Sequence, residues 1–139
     1  MPRIRRTRIR RPSAAERDRG SASTELAIVA PLLLLLLLAI VQFALAVHAH
    51  HIAQAAASRA LATARAEHAT AEAGRADGQA LLRAVDSGSL RGPSVAVTRT
   101  GTRASVEVSG TVVKLIPFLD LHVTARAAGP VEHLTGPDR

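Results

Sequence analysis

The sequence has no cysteine, no tryptophan and no tyrosine, and only two phenylalanines. The absence of thiols excludes disulfides, cysteine nucleophiles and cysteine-ligated metals. The absence of Tyr and Trp removes the usual stacking surfaces for bases and sugars. Of the two rings, Phe43 lies in an apolar run, which leaves Phe118 alone in the rest of the chain. Catalytic motifs are also missing: there is no Gly-rich phosphate loop, no Gly-x-Ser-x-Gly elbow and no His-Glu-x-x-His pair. Glu67 and His68 are neighbours, and on a helix they diverge by about 100°, so they do not face each other. No enzymatic activity, cofactor or small-molecule substrate is expected.

What the chain does have is Leu26 to Val47, LAIVAPLLLLLLLAIVQFALAV, in which 15 of 22 residues are Leu, Ile, Val or Phe. As a helix this run is roughly 33 Å long, enough to cross a hydrocarbon core of about 30 Å. Fifteen large apolar residues contribute at most roughly −4.5 to −9 kcal/mol to insertion, and Gln42 and Pro31 take back only part of that. The run is expected to be a single transmembrane helix. Pro31 removes the hydrogen bond to Ala27 and should bend the first turns. Ser23 or Thr24 is expected to cap the helix, with Glu25 in its first turn facing the positive end of the dipole.

The formal net charge of +7 is concentrated before this run. Residues 1–20 carry eight Arg against Glu16 and Asp18, a net +6, and the remainder is nearly neutral. An Arg-rich tail without aromatics or a folded reader, abutting a membrane helix, is read as a positive-inside anchor and not as a nucleic-acid contact. That orientation is expected to put the N-terminus in the cytoplasm and the C-terminal domain outside the cytoplasmic membrane, on the side of the cell surface. Pro2, Pro12 and charge repulsion predict an unstructured leader over 1–20. The pairs Arg5-Arg6 and Arg10-Arg11 lack the apolar residues that follow a twin-arginine signal.

Gly20 is followed five residues later by Glu25, at the cytoplasmic edge of the apolar helix. This arrangement resembles the cleavage site of type IV prepilins. The wider pattern Glu25-x-Ala27-x-x-x-Pro31-x-Leu33 is similar to the TadE-like pseudopilins of tight-adherence (Flp-type) pilus systems. The resemblance covers about fifteen residues. It implies a structural or assembly component of a pilus or related secretion apparatus, cut between Gly20 and Ser21 by a prepilin peptidase. Glu25, Ala27 and Pro31 would then serve assembly. The implied partners are the membrane, the peptidase, other pilin or pseudopilin subunits and the assembly machinery. The competing expectation is a secreted or anchored binding domain, with Ala44-Leu45-Ala46 as a signal-peptidase site. The apolar run is, however, longer than the 7–15 residues of a usual signal core.

After the run, 12 of the 26 residues from His48 to Ala73 are Ala, with no Gly or Pro. Such high helix propensity predicts one rod continuing to about residue 72. His48, His50 and His51 gather at its membrane boundary. His48 and His51 share a face, but no acid or thiol lies near enough to complete a metal site, so none is expected. Gly74 and Gly78 are expected to interrupt the rod, with Asp77 capping a short second helix over about 77–86 that offers Leu81, Leu82 and Val85. From Ser94 the apolar period becomes two. Strands are predicted at about 94–100, 103–113 and 119–127, forming an antiparallel meander with one buried face. The Ala-rich helix and the short helix would cover that face. The expected class is thus α+β, membrane-anchored and pilin-like. Its parts are a leader (1–20), a transmembrane helix (21–47), a helix-plus-sheet domain (48–129) and a loose tail (130–139).

Overall fold

The computed structural model describes residues 14–85 and 88–132, with side chains from Glu25 onward. The elements are α1 (Ala14–Arg65), α2 (Ala71–Val85), β1 (Leu90–Arg99), β2 (Arg103–Val112) and β3 (His122–Pro130). The chain divides into two compact units, Met1–Leu37 and Leu38–Arg139. The class is α+β, as expected.

In the first unit the described part is helix from Ala14. This corrects the expectation for 14–20, since Ala14-Ala15-Glu16-Arg17 favours helix and Pro12 lies upstream, where proline does little harm. The leader through residue 13 and the tail from 133 lie outside the described residues.

The second unit is built around a three-stranded antiparallel sheet in the order β1-β2-β3. Val95 pairs with Val108 and Val97 with Val106, while Ala125 pairs with Val108 on the other side, so one face of the sheet is lined by small apolar residues. That face is buried, in one cluster with Ala49, Ala53, Ala56, Ala57, Ala60 and Ala64 of α1 and with Leu82 of α2. Alternation of period two thus placed the valines of β1 and β2, Val123 and Ala125 inward. However, β1 starts at Leu90 and not 94, and β3 starts at His122 and not 119, which leaves Leu119 exposed in the loop before it. Leu82 is buried as expected, Leu81 is partly so, and Val85 stays half exposed.

The rod stops earlier than its composition suggests. α1 ends at Arg65, and the turn that follows holds His68 at a φ of 60°. Carbonyls at the helix end lack intrahelical partners and need donors from elsewhere. Arg99 Nε donates to Ala64 O at 2.8 Å and Arg99 Nη2 to Ala66 O at 3.4 Å. The Glu132 N–H donates to Arg65 O at 2.9 Å. Residues 130–132, expected to be loose, are therefore tied down: Arg65 Nε donates to Pro130 O, and Val131 is buried and donates to Thr102 O.

α2 also differs from expectation. It begins at Ala71, where the Thr70 hydroxyl accepts from the Ala73 N–H at 3.1 Å, the geometry of an N-cap. Gly74 and Gly78 lie inside the helix and are buried. A β-carbon on Gly74 would meet Ala60 O and Ala64 Cβ at 2.8 Å, and one on Gly78 would meet Ala60 Cβ at 2.9 Å. They do not break the helix; they let it approach α1. Asp77 is not a cap. It accepts from Arg59 Nε at 2.8 Å and from Thr63 Oγ1 at 2.5 Å, joining the two helices on the solvent side.

Candidate functional site

The apolar stretch of α1 supplies the candidate site. Leu26, Leu32 through Leu37, Ile40 and Phe43 are all exposed, each with more than half of its surface open. Apolar exposure on this scale marks a surface for lipid or for other subunits. The helix is long and apolar enough to cross a membrane over its segment from Glu25.

Glu25 is exposed, and it sits about three turns inside α1, not in the first turn. Ser23 and Thr24 are helical interior positions and not caps. The helix dipole acts within the first turn, so it does not reach Glu25. Ala27 and Pro31 are exposed, and α1 runs on through Pro31. The Gly20–Ser21 peptide is itself in helical conformation. Glu25, Ala27 and Pro31 follow one another along the helix and form no enclosed pocket. His48, His50 and His51 are exposed on α1 as well.

Residues 20–62 match the family model described as TadE-like protein. The resemblance read from Glu25-x-Ala27-x-x-x-Pro31-x-Leu33 is thus shown, and the segment is TadE-like. The TadE-like match starts at Gly20 and extends through most of the Ala-rich half of α1. No curated protein and no solved structure matches the chain.

One residue of the TadE-like segment has a role that its sequence context hides. Gln42 counts against membrane insertion, yet its side chain is only 1% exposed. Its Nε2 donates to Val113 O at 3.1 Å, and its Oε1 accepts from the Leu115 N–H at 2.7 Å. Both ends of the amide are satisfied by the main chain that leaves β2. Only a polar residue within an otherwise apolar run hinted at this, and the partners lie 71 and 73 residues away.

Among the described residues, one pair of charges with shifted pKa values stands at the joint of α1 with α2. Hydrogen bonds from Arg59 and then Thr63 hold the Asp77 carboxyl below its ordinary pKa, and the same contact raises that of Arg59. This joint is structural: its donors are already paired with its acceptor.

The loop after β2 is the other unusual feature. Phe118 adopts a φ of 74°, a region that bulky residues avoid at a cost of about 1–3 kcal/mol, and its side chain is 100% exposed. Lys114 and Asp120 form an ion pair at the base of this loop.

Proposed function

We propose that the protein is a TadE-like minor pseudopilin, a structural part of a tight-adherence pilus or related secretion apparatus and not an enzyme. It is made as a membrane precursor, cut by a prepilin-type peptidase between Gly20 and Ser21, and passed to the assembly machinery as a subunit. The observation that carries this reading is the TadE-like match over the same helix whose apolar side chains stand unpartnered.

The helix geometry supplies a physical reason for the cut. Before cleavage Glu25 lies in the helix interior; afterwards Ser21 starts the helix and Glu25 falls at its first turn. There the carboxylate gains the dipole and a new ammonium at Ser21 to neutralise, within one subunit or between neighbours. An unpaired charge in a low-dielectric bundle is expensive, so the pairing would set register during assembly.

The secreted alternative is disfavoured by Gln42. A cut after Ala46 would strip Gln42 from the folded unit and leave Val113 O and Leu115 N without their partner. N-terminal sequencing of the chain produced with a prepilin peptidase tests the proposal. Ser21 as first residue is expected; Val47 would establish the secreted reading, and an intact leader would leave a plain anchor.

A further inference from the structure

The loop between β2 and β3 gathers Leu115, Ile116, Phe118 and Leu119 in five positions. Leu115, Phe118 and Leu119 are exposed, and the backbone holds Phe118 outward in a conformation it would not choose freely. None of the four belongs to the buried core cluster, and an apolar group of this size at the surface calls for a partner.

Gln42 fixes where that partner lies. It stands five residues before Val47, the end of the apolar run, which is about 7.5 Å along the helix axis. Its amide grips the loop's own main chain at Val113 and Leu115. The loop is therefore held beside the last turns of the apolar run, near the exposed Phe43, and not beyond them. Elements that lie in a membrane interface sink about 5–10 Å into the boundary between headgroups and acyl chains, the same depth.

We propose that the loop from Lys114 to Asp120 dips into the bilayer leaflet at the Val47 end of the span, with Phe118 as its lipid anchor. The proposal rests on α1 crossing a membrane. The loop's chemistry suits that place. Its two charged residues neutralise each other at its base, which leaves the tip apolar. Part of its backbone is already paired: the Val113 carbonyl and Leu115 N–H have Gln42, and the Leu119 N–H donates to Ile116 O at 3.3 Å. Lipid is favoured over a second copy because the level of the loop is set inside the chain, before any assembly. The anchor adds a second membrane attachment, more than 70 residues after the first.

The test uses the full chain, which has no cysteine of its own, reconstituted into phosphatidylcholine–phosphatidylglycerol vesicles. An environment-sensitive fluorophore is attached in turn to Phe118→Cys, to Leu35→Cys within the span and to Thr98→Cys on the exposed sheet face. Leu115→Cys repeats the loop measurement at a second position. At 118 we expect blue-shifted emission, quenching by brominated lipid and loss of quenching by iodide, unchanged on dilution with lipid. If 118 behaves like 98 while 35 reads as buried, the loop is in water and the proposal is overturned. If the protection at 118 disappears on dilution, a second copy covers the loop and the proposal is equally overturned. An aqueous signal at 35 would instead remove the membrane-span reading, and the loop's anchor with it.

Discussion

Gly78 lies so close to Ala60 that a β-carbon added to it would come within 2.9 Å of the Ala60 Cβ and 3.3 Å of Val95 Cγ1. The contact joins α2 to both α1 and the sheet through a single missing methyl group. Gly78→Ala gains about 1 kcal/mol of helix propensity and loses about 1–3 kcal/mol to overpacking. Gly74→Ala is worse placed, because one of its obstacles is the backbone oxygen of Ala60, which cannot rotate away. Both substitutions should lower the denaturant midpoint in detergent, with Gly74→Ala the more damaging of the two. An unchanged or raised midpoint for Gly74→Ala would show that the helices separate without cost.

Gln42→Leu should have opposite effects on insertion and on folding. The apolar run becomes more favourable to insert, while Val113 O and Leu115 N lose their partner at a cost of about 1–3 kcal/mol. Amide hydrogen exchange separates the two effects. Exchange at Leu115 should accelerate, while Val112, whose N–H donates to Leu121 O at 2.9 Å, should change less.

The Asp77 carboxyl has a lower pKa in the folded chain than the value of about 3.9 expected when unfolded. Its contribution to stability is therefore complete above the unfolded pKa and is lost as pH falls through the folded one. Stability should decline on acidification below about pH 4, and Asp77→Asn should flatten that part of the profile. Denaturant midpoints measured across this range check the prediction. A wild-type slope retained by Asp77→Asn would assign it to other carboxylates and overturn the role of Asp77.

Glu25 is exposed on α1 and belongs to the first unit, whereas the sheet belongs to the second. Glu25→Ala should leave membrane insertion and the unfolding midpoint of the sheet domain unchanged and impair incorporation into the pilus. Co-purification with assembled filaments measures this directly. Normal incorporation of the variant would remove the pairing of Glu25 with the Ser21 ammonium as an assembly device.

The sheet was legible because apolar residues at every second position can describe only one buried face: Ala104, Val106, Val108 and Val112 all point into the core. The membrane run and the TadE-like pattern were legible for a similar reason, since each depends on neighbours in sequence. The helix boundaries were not. An Ala-rich stretch carries no stop signal of its own, and α1 ends at Arg65 because Arg99 and Glu132, far along the chain, supply donors there. Gly74 and Gly78 read as breakers because propensity is local, whereas the alanines they meet belong to another helix. Gln42 was read only as a cost to insertion, and its partners lie on a segment whose approach to the helix no local pattern reveals.

The span of sequence between Gln42 and Val113 also sets an order of events in time. At a synthesis rate of about 5–20 residues per second, the 71 positions between them take roughly 4 to 14 s to emerge. For that interval Gln42 belongs to a nascent helix whose clamp does not yet exist. The apolar side chains alone must therefore commit the helix to the bilayer, with the glutamine as an uncompensated burden. The clamp can close only once β2 has been made and the loop after it has reached the same depth. Membrane commitment and domain folding are thereby separated into an early and a late decision, and the glutamine opposes the first and completes the second.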